Sequence, residues 1–243
     1  MIPENHPRYH SLIVRETLAR YAKEEIVSLE GLSAHGRGEA FDYLLGERTT
    51  ESALIAEKTA AAFLISAKNP VISVNGNTAA LTAGVLKDLQ EASGAKVEVN
   101  LFHRTEARIQ KITGLLLKSG VSVLEGNAER LLPLPHDRAY CLREGIYTAD
   151  VVLVPLEDGD RCQALREMGK DVITIDLNPL SRTARTATLT IVDEVTRALP
   201  NITGFCKNLN QGEARELKES HNNPKLLRDA IEEMKKRLGD ALD

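Results

Sequence analysis

Residues 70–101 read PVISVNGNTAALTAGVLKDLQEASGAKVEVNL, and the fold turns on how this stretch divides. Val71 to Val74 is a β-branched run bounded by Pro70 and the turn dipeptide Asn75-Gly76, which predicts a short buried strand. From Asn77 to Ala92, Leu81, Val85 and Leu89 return to one face of a helix, with Asn77 suited to its N-cap and Gly94 as a stop signal. Val97 to Leu101 then resumes the strand pattern, so the unit is strand, helix, strand.

The alternation continues downstream. Arg104 to Lys118 turns Ile109, Ile112 and Leu116 inward and ends at Gly120, ahead of a strand at Val121 to Leu124. Further strands are expected at Val151 to Val154, Val172 to Ile175 and Leu189 to Val192, with a helix from Arg161 to Met168 before Gly169. Such a series implies an α/β, Rossmann-like fold, a mostly parallel sheet with helices on both faces. Only eleven residues separate Leu177 from Leu189, which is short for a parallel crossover. NPLSRTARTAT (178–188) is therefore expected to be an exposed ligand loop or a tight return.

The residues before the sheet are largely helical in pattern, including His10 to Lys23 and the Ala- and Leu-rich Thr50 to Lys68. After Asn210 the chain becomes charged. Pro224 can open a helix in which Leu227, Ile231, Met234, Leu238 and Leu242 recur every three or four residues. The expected organisation is an N-terminal helical part at 1–68, an α/β core at 69–208 and a charged helical tail at 209–243.

Composition narrows the class. Of 243 residues, 42% are hydrophobic, enough for a sizeable core. No long uncharged apolar run and no secretory signal pattern occurs, so a soluble, cytoplasmic protein without membrane contact is expected. A formal charge of -4 and 4% aromatic residues with no Trp argue against a nucleic-acid partner. The three cysteines, Cys141, Cys162 and Cys206, show no CxxC or close His spacing and suggest neither a disulfide framework nor a zinc site.

Four segments carry groups suited to chemistry. In HGRGEAFDY (35–43), two glycines free the backbone to approach a ligand and Arg37 can grip a phosphate or carboxylate, although a helix-entry loop needs the same glycines. Asn75-Gly76-Asn77-Thr78 joins a strand to a helix, where backbone amides and the helix dipole attract an anion. Asn100 to Glu106 stands at the next such junction, so His103 and Arg104 are expected in the same crevice. In DLNPLSRTART (176–186), Asp176 ends a strand as a ribose-binding acid does, and two arginines and three hydroxyls suit phosphates. Neither GxxxxGK[ST] nor GxGxxG occurs, which weakens both a P-loop and a nicotinamide dinucleotide reading.

HGRGEAFDYL, NGNTAAL, NLFHRTEARI and DLNPLSRTART, with IVDEVTRALPNI (191–202), together resemble the archaeal phosphopantothenate synthetase family, also called 4-phosphopantoate:β-alanine ligase. The likeness runs from about Pro7 to Asn208, with the charged tail its weakest part. It implies condensation of 4-phosphopantoate with β-alanine in coenzyme A synthesis, with ATP converted to AMP and diphosphate, a magnesium requirement and a homodimer. Carried over by position, ATP contacts fall on Arg15, Arg37, Asp176, Leu177, Asn178, Arg182, Thr183, Glu194 and Val195. Arg37, Arg182 and Mg²⁺ would offset the triphosphate charge, with Asp176 or Asn178 on the ribose. Asn75, Asn77 and Thr78, together with His103 and Arg104, are assigned to phosphopantoate, and His103 or His35 to the ammonium proton of β-alanine. Two alternatives stay open on the residues alone: a nicotinamide-dependent reductase, and a nucleotide-sensing protein without turnover.

Overall fold

The computed structural model describes residues 2–155 and 158–242. Three helices come first, α1 (Tyr9–Lys23), α2 (Leu29–Leu45) and α3 (Glu51–Ser66). The unit read from residues 70–101 follows as β1 (Pro70–Val74), α4 (Gly76–Ser93) and β2 (Lys96–Val99), and then α5 (Glu106–Lys118). A small hairpin, β3 (Glu129–Arg130) and β4 (Tyr140–Cys141), interrupts the alternation. It resumes as β5 (Val151–Pro155), α6 (Gly159–Glu167), β6 (Asp171–Ile175), α7 (Arg182–Thr186) and β7 (Leu189–Ile191). The chain closes with α8 (Val195–Asn208), α9 (Gln211–Ser220) and α10 (Asn223–Gly239).

The main sheet has five parallel strands in the order β2-β1-β5-β6-β7. Connections leave β1 and β5 in opposite directions, and a crevice opens at their carboxyl ends, where ligands of such sheets bind. Alternation along the strands builds two cores. Ile72, Val74, Leu153, Ile173 and Ile175 face one side, under α1, α3, α4, α5 and α8. Val71, Val152, Val154 and Val172 face the other, against α6 and the 131–149 segment. Neither face is left to water, which is why the strands read as continuous apolar runs rather than alternating ones.

Four sequence expectations need correction. Val121 to Leu124 does not form a strand: one bridge joins Val97 to Val123, and the Leu124 amide donates to the Val97 carbonyl at 2.8 Å. Gly126, at φ 149, turns the chain away before a ladder can grow. Second, 35–43 is no loop but lies inside α2, which runs from a Ser28 cap accepting from the Gly31 amide to Gly46 in the left-handed region. Third, the N-cap of α4 is Asn75, not Asn77. Fourth, 178–188 holds the short helix α7, whose Thr183 and Ala184 are buried.

The charged tail is also more than an appendage. Leu227, Ala230 and Met234 of α10 share a buried cluster with Leu45 of α2, Leu177, Ala184 and Val192, so the tail buttresses the polar loop from behind. Ile231 and Leu238 stay off this cluster, and the side chain of Leu242 lies outside the described residues. Asn223, 6% exposed, accepts from the Thr190 amide at 2.7 Å and donates to the carbonyls of Ala184 at 3.0 Å and Ala187 at 3.3 Å. It replaces a missing strand neighbour at the free edge of β7. Asn223→Ala, which orphans buried backbone groups, is expected to cost about 2 kcal/mol in chemical denaturation, and a loss below about 0.5 kcal/mol would contradict this role.

Candidate functional site at the carboxyl edge of the sheet

The crevice between β1 and β5 is closed from above by α2. Asn75 Oδ1 accepts from the Thr78 amide at 3.0 Å and its hydroxyl at 3.1 Å, while Nδ2 donates to the Pro155 carbonyl at 3.0 Å, across the reversal of strand order. A Cβ at Gly76 would stand 2.1 Å from the Ile26 carbonyl oxygen, and one at Gly31 would stand 2.4 Å from Asn77 Oδ1. Only glycine lets α2 and its entry segment approach α4 this closely. Asn77 Nδ2 completes the junction with a 2.8 Å bond to the Gly31 carbonyl.

Beside this junction is a cleft of about 260 Å³ whose lining includes Ser28, Asn75, Asn77, Phe102, His103, Arg108 and Arg138. Arg108 donates to the carbonyls of Glu25, Ile26 and His103 at 3.3, 3.1 and 2.7 Å, so its guanidinium is fixed by main chain rather than by a carboxylate. Burial pulls it below its ordinary pKa, with the Glu30 charge acting the other way, yet it remains a cation at any working pH. Two arginines and the amino end of α4 make the cleft receptive to an anion.

The second part of the edge is the loop after β6. Asp176 Oδ1 accepts from the Asn178 amide at 2.9 Å, and Oδ2 accepts from the Ser181 hydroxyl. Burial pushes the Asp176 carboxyl up, and these bonds and the nearby Arg37 charge pull it back. Arg37 is exposed and has no hydrogen-bond or ion-pair partner among the described residues. Arg182, also exposed, donates to Asp160 and, at 2.6 Å, to Gln163. A Cβ at Gly38 would lie 3.6 Å from Leu177 Cδ1, so α2 rests directly on this loop. Gly31 and Gly38 are about 10 Å apart along the helix axis, and one helix therefore spans both cleft and loop.

Beneath the far end of α2 is a buried acidic group. Arg197 reaches Asp42 at 2.5 Å and Asp193 at 2.6 Å, with side-chain exposures of 17%, 6% and 0% in that order. The Thr49 hydroxyl donates to Asp193 at 2.6 Å, and Glu194 caps α8 by accepting from the Thr196 amide at 2.8 Å. Burial drives Glu194 up, but hydrogen bonds with His10 and Thr196 prevail and hold it below the usual carboxylate range. The same contact raises His10. His35, half-buried on the sheet-facing side of α2, is lowered by burial and is neutral at pH 7.

Glu57 of α3 is fully buried, accepts from Asn201 Nδ2 at 2.9 Å, and has Oε1 without a partner. Burial, with the Asp193 charge added, pushes it up to about 9 from an ordinary 4.5. The folded state holds this proton more tightly than the unfolded chain, so its contribution to stability falls as pH rises through that window. Glu57→Gln is therefore expected to gain stability over the native chain between pH 5 and pH 9, read by urea unfolding at both. Parallel curves at the two pH values would rule out a protonated Glu57.

A profile described as phosphopantothenate/pantothenate synthetase matches residues 52–237. The 4-phosphopantoate–beta-alanine ligase of Methanospirillum hungatei JF-1 is 62% identical over 243 residues, covering 100% of both chains. The protein of the same name from Methanosarcina mazei is 54% identical over 241 residues, covering 98% of this chain and 95% of its own. That from Thermococcus kodakarensis is 46% identical over 243 residues, covering 98% and 93%. The chain belongs to the phosphopantothenate/pantothenate synthetase family. Likeness to this family does not stop at Asn208, as the sequence reading held: the profile runs to residue 237, through the helix that backs the Asp176 loop.

On this synthetase-family scaffold, Asn75, Asn77 and His103 meet in one cleft. Thr78 is fully buried with its hydroxyl on Asn75, and the Arg104 amide donates to Asp137 at 3.0 Å, outside the residues that line the cleft. Arg37, Asp176, Leu177 and Asn178 gather at the β6 loop, with Arg182 and the buried Thr183 opening α7. Glu194 and Val195 stand at the start of α8, with His10 on Glu194. Arg15 is placed apart: Nε donates to both Glu39 oxygens at 2.8 Å, and Glu39 is roughly 200° around α2 from Arg37. Sequence reasoning missed Arg108, Arg138, Asp42 and Arg197. Arg108 and Arg197 fell within the quoted strings NLFHRTEARI and IVDEVTRALPNI, whereas Arg138 occupies an irregular turn with no periodic signal.

Proposed function

We propose that this chain is a soluble, cytoplasmic ligase that joins 4-phosphopantoate to β-alanine with ATP, releasing AMP and diphosphate, in archaeal coenzyme A biosynthesis. The names of its relatives support this reading, and neither the reductase nor the nucleotide sensor finds support in them. The observation that carries it is the pairing of a doubly cationic cleft with an arginine-bearing loop along one sheet edge, both under α2. The cleft suits a phosphorylated carboxylic acid and the loop a nucleotide. Residues 1–68 act as a cover, 69–208 as the α/β body, and 209–243 as the support of the loop. A homodimer is part of the proposal.

A carboxylate is a poor electrophile. Its oxygen attacks the α-phosphorus of ATP, diphosphate leaves, and the amine of β-alanine then displaces AMP from the acyl adenylate. Arg37 and Arg182 offset charge on the triphosphate, with Asp176 or Asn178 toward the ribose, Glu194 and Val195 at the α8 end, and Arg15 swinging in from Glu39. Asn75, Asn77 and Arg108 orient phosphopantoate. The ammonium must shed a proton before it attacks, and His103 or neutral His35 accepts it.

Mg²⁺ fits the same edge. Asp158 and Asp160, with His136, offer ligand atoms within 4.8 Å of one another, and Asp160 already touches Arg182. Carboxylate oxygens there would hold Mg²⁺ together with substrate phosphates, where it supplies further charge neutralisation. The reading is tested by incubating the protein with 4-phosphopantoate, β-alanine and Mg·ATP. AMP and diphosphate in equal amounts with amide product are expected, and ADP with phosphate would overturn it.

A further inference from the structure

Among the described residues that line the cleft, Glu30 is the one carboxylate, and it borders the same space as His103 and Arg108. It stands in the first turn of α2, exposed, and enters no ion pair among the described residues. Ser28 Oγ accepts from the Gly31 amide at 3.1 Å, which leaves its hydroxyl proton for Glu30. Hydrogen bonds from the Glu30 amide and from Ser28 hold this carboxyl below the usual carboxylate range, and the charges of His103 and Arg108 act in the same direction. Glu30 is therefore an anion at neutral pH. An acid in the first turn of a helix is common, because it favours the dipole. Here it also borders a cleft that admits a phosphorylated carboxylate, which a fixed negative charge repels. Of the three substrates, only β-alanine brings a cation.

We propose that the Glu30 carboxylate receives the ammonium of β-alanine and holds it in the cleft beside His103, one of the two groups assigned above to accept its proton. The proposal rests on the ligase reading above. An alkyl amine is protonated near neutral pH, and an open carboxylate binds it through a charge-assisted hydrogen bond without first having to leave a buried partner. Once one proton has left, the neutral amine attacks the acyl carbon. The C–N bond forms, the bond from that carbon to the AMP oxygen breaks with its electron pair on AMP, and the second proton leaves the nitrogen as the amide forms. Glu30 sets the affinity and position of the amine and takes no part in adenylylation.

The test compares the full native chain with Glu30→Gln and Glu30→Asp. Phosphopantoate-dependent exchange of labelled diphosphate into ATP, run without β-alanine, reports the first half-reaction, and amide formation reports both. Hydroxylamine, uncharged near pH 8, traps the adenylate as a hydroxamate and reports its capture by a neutral amine. In Glu30→Gln the KM for β-alanine is expected to rise on the order of 10-fold, with Glu30→Asp between it and the native chain. Exchange and hydroxamate formation should stay within about twofold, and both variants should melt with the native chain, as exposed substitutions do. An unchanged KM for β-alanine would overturn the proposal, and so would a rise confined to phosphopantoate. Equal losses with β-alanine and hydroxylamine would overturn it by placing Glu30 on the adenylate, and variants that unfold would overturn it by making Glu30 structural. Absence of exchange and of amide in the native chain would sink the ligase reading instead.

Discussion

Arg197→Met is expected to lower the free energy of unfolding by about 3–5 kcal/mol. Its guanidinium is the cation between two carboxylates that water barely reaches, Asp42 at 6% and Asp193 at 0% side-chain exposure. Glu194 and Glu57 add acidic groups close by, and both are also buried. Without the arginine, the carboxylates must either remain charged in a low-dielectric pocket or take up protons. Burial already pushes Asp42 up and the Arg197 contact pulls it back, so Asp42 titrates higher in the variant than in the native chain. The folded variant then binds protons that its unfolded chain has released, and its stability falls as pH rises. Urea unfolding near pH 5 and pH 8 should therefore show the larger deficit at pH 8. A deficit under about 1 kcal/mol at both values would mean that the contact resembles a surface ion pair. Because Arg197 joins α8 to α2, the variant should also loosen the cover over the sheet edge.

Arg37→Ala and Arg182→Ala are each expected to cost about 2 kcal/mol of transition-state stabilisation, roughly 30-fold in kcat/KM for ATP. Stability should hardly change. Arg37 has no ion-pair partner to lose among the described residues, and Arg182 gives up exposed contacts with Asp160 and Gln163. Exposed pairs of this kind contribute about 0–1 kcal/mol. Steady-state kinetics beside a melting curve separate the two effects, and a loss of less than about threefold in kcat/KM with intact folding would remove either residue from the triphosphate site.

The strand, helix, strand reading of residues 70–101 anticipated the heart of the fold, because buried parallel strands leave apolar runs that few other structures share. The sequence order of strands does not encode their spatial order, so the crevice between β1 and β5 became visible only in the sheet. Helix α2 was hidden by its glycines. Gly31, Gly36 and Gly38 weaken a helix by about 1 kcal/mol each relative to alanine, and what compensates is tertiary: the fit on Asn77, the contact with Leu177 and the Asp42–Arg197 pair. Arg138 left no trace in periodicity because it sits in a short turn after the hairpin's first strand. The polar loop after Asp176 was legible from its chemistry alone, whereas its backing by α10 and Asn223 needed the fold.

The central claim is that the phosphopantoate carboxylate is activated by adenylylation at this edge. It is tested most directly with 4-phosphopantoate labelled with oxygen-18 in both carboxylate oxygens, supplied with β-alanine and Mg·ATP. The account predicts that one labelled oxygen passes to the phosphate of AMP and one remains in the amide carbonyl. AMP free of label, or label recovered in inorganic phosphate beside ADP, would contradict it.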